Sequence, residues 1–367
     1  MTLLLKRLAL HDFRSYREAV FEWAPRTVIV GPNATGKTNL LEAAFLFAAG
    51  KSFRAGRESE MVRWGETAAR VEAAFEGERS NHRAAVTLES GGRIIRKSLE
   101  LDGKAKPTKE LRRRFPMVLF SADDVRLVDG SPGRRRKTLD LAIGQGSASY
   151  QQALSGYNRA LASRNRLLEQ IATREATEAE LDAWDVQLAE TGAAVIEGRQ
   201  RFFAESAEAL AAAYAALTTA SDHVHGRLEV AHEPGAPDFA TALTARRTQD
   251  IAVGTTTAGP HRDDWKLLLD GRVLASFGSG GEFRSAALAW RLAETDWLGR
   301  QTGVPPILLL DDVFSELDAA RSESLRAALP DGQTVITTPE AAAVPAALRT
   351  EAKLIEIRPK ESEEAGV

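Results

Sequence analysis

The sequence predicts an α/β protein: a mixed sheet, part buried and parallel and part antiparallel meander, interrupted by an inserted α-helical arm. Three observations carry this. The short apolar runs Thr27-Val28-Ile29-Val30, Met117-Val118-Leu119-Phe120 and Ile307-Leu308-Leu309-Leu310 read as strands buried on both faces of a parallel sheet. Around residues 71–103 the period is two, with Val71, Ala73 and Phe75 facing one way and Glu72 and Glu76 the other. From Ser147 to about Leu217 the period becomes helical.

Composition sets the outer limits. The 367 residues suffice for two lobes or for one large core with an insertion. Cysteine is absent, which excludes disulfides and any Cys-based zinc or redox centre. No run approaches the roughly 18 to 20 apolar residues of a membrane helix, and the N-terminus lacks a signal-peptide pattern. A cytoplasmic location with no membrane partner is therefore expected. The net charge of −3 excludes a uniformly basic coat but allows a local basic face.

Taken in order, residues 3–10 read as an apolar strand, followed by the turn-like His11-Asp12-Phe13-Arg14-Ser15-Tyr16. The strand at 27–30 leads into a glycine-rich loop and then a helix that runs to about Gly50, its C′ residue. Strand-like runs at 84–88 and 93–101 are separated by Gly91-Gly92 and closed by Asp102-Gly103. In the helical region, Leu154, Tyr157, Leu161, Arg164, Leu168 and Ile171 recur at spacings of three and four, as do Leu181, Trp184, Leu188, Thr191, Val195, Gly198 and Phe202. Two helices joined by Thr173-Arg174-Glu175-Ala176-Thr177 would form an antiparallel hairpin, each about 35 to 45 Å long at 1.5 Å per residue. The pattern does not separate ordinary bundle helices from a short coiled-coil arm. A strand at 226–231, a loop from Glu233 to Pro237 and a hairpin about Asp270-Gly271 follow. A long helix ends near Gly299, Thr334-Val335-Ile336-Thr337-Thr338 is a further strand, and the Glu-rich tail beyond Lys360 frays.

The loop after the second strand is Gly31-Pro32-Asn33-Ala34-Thr35-Gly36-Lys37-Thr38, the pattern G-x-x-x-x-G-K-[ST] between a strand and a helix. Its glycines let consecutive N–H groups turn inward as an anion nest, and the helix adds its positive dipole end. Lys37 would reach the β- and γ-phosphates of a nucleoside triphosphate, and the Thr38 hydroxyl would ligate Mg²⁺. Ile307-Leu308-Leu309-Leu310 ends in Asp311-Asp312. A carboxylate at the end of a buried strand suits the metal, so Asp311 is the second Mg²⁺ candidate and Asp312 the group that orients or deprotonates water. Basic residues cluster at Arg112-Arg113-Arg114, Arg134-Arg135-Arg136-Lys137, Arg164 with Arg166, and Arg246-Arg247. The first three groups are candidates for DNA backbone contacts, with a solvated face as the plain alternative.

Ser279-Gly280-Gly281-Glu282, at a helix start shortly before Asp311, resembles the signature motif of the ABC ATPase superfamily. Ser315-Glu316-Leu317-Asp318 resembles its D-loop. The phosphate loop and Asp311 stand some 270 residues apart with a helical hairpin between them, as in SMC-type heads rather than transporter motors. Three further stretches are more specific: residues 127–140, from Leu127-Val128-Asp129-Gly130 to Thr138-Leu139-Asp140; Arg164-Asn165-Arg166-Leu167-Leu168; and Gly259-Pro260-His261-Arg262-Asp263-Asp264. Together these resemble the RecF family over nearly the full length. The resemblance implies an ABC-type P-loop ATPase head divided as 1–125 and 251–367 around a helical arm at 126–250. It implies a weak DNA-dependent ATPase with ATP and Mg²⁺ as cofactors, dimerising on DNA as an ATP-dependent homodimer. Ser279, Gly280 and Gly281 would then contact, in trans, the nucleotide held by the other subunit. It further implies work with RecR and RecO to load RecA at single-strand gaps, with roles at replication forks and in the SOS response. A structural SMC-like tether with little turnover is the alternative. Four departures stand out. Asp129 replaces a usual lysine, and Ser121-Ala122-Asp123-Asp124 offers no Q-loop glutamine. Thr337-Thr338 stands near where transporters carry a switch histidine, and Asp312 is shorter than the superfamily's common glutamate, which suits slow hydrolysis.

Overall fold

The computed structural model of the chain describes residues 2–78, 80–90, 95–218, 226–236 and 238–358. The Gly91-Gly92 turn, Pro237 and the Glu-rich tail lie outside these residues. Two compact units form, one from residues 1–124, 212–225 and 288–367, the other from 125–211 and 226–287. The unit that holds the arm runs on to 287, past the return to the head expected at 250/251. The reason is strand pairing: Asp264–Leu269 lies antiparallel to Leu228–Glu233 from Asp264↔Glu233 to Leu269↔Leu228, which ties the residues after 250 to the arm's unit. The signature-like Ser279-Gly280-Gly281 goes with them.

In the first unit a five-stranded parallel sheet runs in the order Lys353–Glu356, Arg26–Val30, Thr334–Thr338, Ile307–Asp311, Met117–Phe120. Its three inner strands are buried almost throughout, as their apolar runs require. Register places Thr337 opposite both Ile29 and Asp311, so the strand ends that carry the phosphate loop and the two aspartates lie level on either side of Thr334–Thr338. Ligands of open parallel sheets bind at such carboxyl ends. The second sheet is the expected antiparallel meander, in the order Tyr16–Glu22, Leu3–Phe13, Ala68–Gly77, Asn81–Ser90, Ile95–Leu101, Lys104–Ala105. Phe75 of this sheet stacks on Phe115 at 3.8 Å between centroids and meets Phe47 edge-on at 5.7 Å.

Phe47 belongs to the helix after the phosphate loop, Lys37–Ala49, which is buried on nearly every face. A helix so enclosed must satisfy its last carbonyls with protein groups. Gly50 does so in part, at φ 69° with its N–H on Leu46 O at 2.8 Å. Arg112, from the helix Thr108–Arg114, donates to Ala48 O at 3.2 Å and Ala49 O at 2.8 Å.

In the second unit the expected hairpin forms from Ala148–Ala172 and the start of Leu181–Leu217. The latter has 37 residues, about 55 Å at 1.5 Å per residue, and so exceeds the expected length. The stretch 127–140 contains a helix that periodicity did not reveal, Pro132–Gly146, with Ser131 as N-cap and proline at its first position. Two short helices, Phe239–Ala245 and Arg247–Val253, and the strand Arg272–Val273 complete the unit. Among the described residues no helix is long and apolar enough to cross a membrane.

Candidate nucleotide site and the fate of the basic clusters

The phosphate loop is held open by its glycines. Gly36 sits at φ 103°, and a Cβ there would come within 2.9 Å of both the Ser15 and Tyr16 hydroxyls. A Cβ on Gly31 would lie 2.4 Å from Ile357 O. Lys37 folds back over the loop, its Nζ donating to Gly31 O at 2.5 Å and Pro32 O at 2.9 Å. Burial lowers its pKa, with Asp312 and then Asp311 pulling the other way. The ammonium thus rests on neutral carbonyls that a phosphate would replace with charged oxygens.

Thr38, one residue on, donates from Oγ toward Asp311 Oδ2 and Oδ1 at 3.0 and 3.1 Å. Thr337 Oγ donates to Asp311 Oδ1 at 2.7 Å. Burial raises the Asp311 pKa, the Thr337 and Thr38 hydrogen bonds lower it, and Asp312 pushes it up again. A cation would relieve that strain. The converging donors, one hydroxyl and one carboxylate, are the hard oxygens that Mg²⁺ takes beside phosphates and water, so Thr38 and Asp311 fit the metal. Asp312 has φ 52°, a left-handed conformation that aspartate tolerates better than most residues. Its N–H reaches Thr337 O at 3.1 Å and Thr337 Oγ at 3.0 Å, and its Oδ1 accepts from Ser315 Oγ at 2.6 Å.

Beside the loop a groove of about 770 Å³ is lined by Arg14, Ser15, Asn39, Arg54, Ser59 and Trp64 among others. Trp64 is 98% exposed. Beneath the groove lies Glu42, fully buried on the loop's helix. Arg14 grips its two oxygens at 2.6 and 2.8 Å, and Arg54 and Ser52 also donate to it. Burial opposes the charge of Glu42, but these donors outweigh it and hold the carboxyl below its usual range. In the sequence Glu42 closes Thr38-Asn39-Leu40-Leu41-Glu42, a stretch that shares in the family resemblance, but nothing local assigns it a role.

Ser279, Gly280 and Gly281 belong to the second unit and stand at the start of the helix Gly280–Thr302, whose residues from 288 on belong to the first. Ser279 and Glu282 form a reciprocal capping box: Ser279 N–H to Glu282 Oε2 at 2.6 Å, Glu282 N–H to Ser279 Oγ at 3.3 Å. A Cβ on Gly280 would meet nothing within 4 Å, so this turn faces open space. In the Q-loop region Asp124 is buried against Arg291, at 2.7 and 3.1 Å, which gives that stretch a structural task.

The basic clusters require correction. Arg164 is fully buried, donating to Asp185 at 2.6 Å and to Asp250 and Thr256 at 2.8 Å, and so is closed to a DNA phosphate. Arg135 is buried in a two-pronged pair with Asp264, both bonds 2.7 Å. Arg136 donates to Asp263 O at 2.5 Å, and Arg112 is the helix cap described above. Arg114 reaches His82 Nε2 at 2.5 Å from an exposed position. Arg113, Lys137 and Arg166 are exposed, and Arg134 is half-buried.

The specific stretches of the arm meet one another. Arg199 donates to Asp140, Asp263 and Pro260 O at 2.7 to 2.8 Å. Burial would lower its pKa, but Asp140, Tyr150 and Asp263 hold it far above the ordinary value. Asn165 accepts from the Thr256 N–H and hydroxyl, and Tyr157 donates to His261 Nδ1 at 2.5 Å. His261 Nε2 can then only donate to Thr256 O.

The family model for the RecF/RecN/SMC N-terminal domain matches residues 4–361. The DNA replication and repair protein RecF of Moorella thermoacetica is 35% identical over 360 residues, 97% of this chain and 95% of its own. That of Myxococcus xanthus is 36% identical, over 93% and 92% of the two chains. A solved structure of the recombination mediator RecF with ATP, from the RecFOR pathway, superposes with a TM-score of 0.85 at 31% identity, covering 94% of each chain. The SMC head domain of Pyrococcus furiosus, at 18% identity and a TM-score of 0.56 over 97% of this chain and 94% of its own, shares the fold. This chain belongs to the RecF family.

Proposed function

We propose that this chain is an ATP-hydrolysing, DNA-binding protein of recombinational repair that dimerises on DNA when ATP is bound. The observation that carries the reading is the convergence of Lys37, Thr38, Asp311 and Asp312 at the carboxyl ends of two strands flanking Thr334–Thr338. In this reading the triphosphate replaces Gly31 and Pro32 carbonyls as the partner of Lys37. The nucleoside extends into the groove that ends at Trp64. Magnesium, held by Thr38 and Asp311, would neutralise the phosphates. Asp312 accepts a proton from, or orients, the attacking water. Its short arm and its hydrogen bond from Ser315 suit slow turnover.

Ser279, Gly280 and Gly281 supply the second phosphate clamp, on nucleotide held by another copy. Two copies in twofold symmetry then make two composite sites, and ATP drives association because it binds the dimer better. RecO and RecR are the partners that fit this role, by likeness to the solved RecF of the RecFOR pathway, and RecA is the partner that the family resemblance of the sequence adds. The tether alternative is not favoured, because the arm's two main helices have only 25 and 37 residues.

Mixing tests the composite site. Ser279→Arg puts a bulky cation in the clamp and should block the ATP-dependent dimer seen by sedimentation, while sparing ATP binding by the monomer. Lys37→Met should lose ATP binding. A mixed dimer retains one intact composite site, so ATPase activity should partly return on mixing. If the mixed dimer forms and no activity returns, the two motifs do not meet in trans.

A further inference from the structure

We infer that Thr337 is a positioning residue for both acidic groups of the site, fixing the metal-binding carboxylate and the water-directing one through a single hydroxyl. The inference rests on the nucleotide-binding reading above. Thr337 is fully buried at the end of the strand between the phosphate-loop strand and the strand of Asp311. A hydroxyl has one proton and two lone pairs. Here the proton goes to Asp311 Oδ1 at 2.7 Å, and a lone pair accepts the Asp312 N–H at 3.0 Å.

These two bonds have different consequences. The first holds one carboxylate oxygen of Asp311 on the sheet side, so the group cannot rotate away when Thr38 turns from it to a metal. The second helps hold Asp312 in its left-handed conformation, from which its side chain meets Ser315. Asp311 also carries the Thr38 hydroxyl, which a metal would draw away, and the Asp312 N–H also reaches the Thr337 carbonyl at 3.1 Å, so among the described residues the Thr337 hydroxyl is the one group that restrains both acids from a side chain. At this position valine has the same shape and keeps the carbonyl bond to Asp312, but has neither bond of the hydroxyl. Serine keeps both bonds and loses only a methyl group.

The test is a magnesium titration of the binding of a fluorescent ATP analogue to the full chain, wild type against Thr337→Val and Thr337→Ser. In Thr337→Val the apparent magnesium affinity should fall at least tenfold, with magnesium-free nucleotide binding within twofold of wild type. Turnover should drop by a further factor. Thr337→Ser should restore magnesium affinity to within about threefold. A merely structural role for the hydroxyl would lower the melting temperature and leave the magnesium dependence in place, and that result overturns the inference. Should Thr337→Val fail to fold, Thr337→Ala removes the same two bonds and carries the comparison. If the wild type itself shows no magnesium-dependent nucleotide binding, the reading of the site falls and this inference with it.

Discussion

Lys37 and Arg199 are both buried cations, at 7% and 2% exposure, but their partners differ in kind. Lys37 rests on two neutral carbonyls of its own loop, and burial lowers its pKa. Arg199 sits among Asp140, Asp263 and the carbonyl of Pro260, and its pKa is held well above normal. The opposite shifts mark opposite functions. Folding disfavours the charge at the phosphate loop, which an anionic ligand would then reward. In the arm the protein has already supplied the counter-charges, and the result is architecture. The same contrast separates Asp311, raised by burial against two hydroxyls and the more weakly acting charge of Arg54, from Asp263, held low against burial by His232, the Gly235 N–H and Arg199.

The strongest way to break this comparison is to remove Asp263. Asp263→Ala takes one of the two carboxylates that Arg199 is paired with and leaves Asp140 alone to answer a buried charge; breaking a buried pair typically costs about 3–5 kcal/mol. Urea unfolding should show that loss at pH 7, and a cost below about 1 kcal/mol would mean that the cluster is not holding the arm together. Acid sharpens the test. The folded pKa of Asp263 lies below its unfolded value near 3.9, so its contribution is present above that pH and fades as pH falls through the folded value. The stability gap between wild type and Asp263→Asn should therefore narrow as the pH is taken from 6 to 3. A gap that widens would contradict the sign.

Lys37→Met should behave in the opposite way. Without nucleotide it should melt at or slightly above the wild type, because it removes a charge that burial disfavours. With ATP at a hundred times the dissociation constant, the wild type should gain about 2.7 kcal/mol and the variant nothing. An undiminished ATP-induced shift in a folded Lys37→Met protein would end the assignment of the loop.

The smallest effects on folding belong to the exposed cations. Glutamate at Arg113, Lys137 or Arg166 should change stability by less than about 0.5 kcal/mol. If these residues contact the DNA backbone, each change should lower the slope of log affinity against log salt by about 0.9, measured with duplex DNA in ATP. Arg135→Glu, which faces Asp264, should instead unfold the arm. A variant at position 135 that folds well and loses only DNA affinity would reverse the division drawn between the two kinds of site.

The sequence by itself determined the parts of this protein whose chemistry is contiguous. The loop 31–38 declares itself because all its anion-binding groups lie within eight residues, between a strand and a helix that local periodicity reveals. The buried parallel strands, the meander and the helical hairpin were legible for the same reason, since periods of two and 3.6 residues need no distant partner. The contact of Thr38 with Asp311 spans 273 positions, yet the two motifs that carry them are each legible locally, as a phosphate loop and an apolar strand ending in aspartate. Only the tertiary structure decided the basic clusters. Arg135 finds Asp264 across 129 positions and Arg164 finds Asp250 across 86, and no local pattern distinguishes an arginine with such a partner from one facing solvent. The unit boundary at 287 was likewise set by strand pairing, and the burial of Glu42 by arginines 28 and 12 residues away. The two bonds of Thr337 belong here too, because they depend on the register between neighbouring strands, and register is fixed by which faces are buried together.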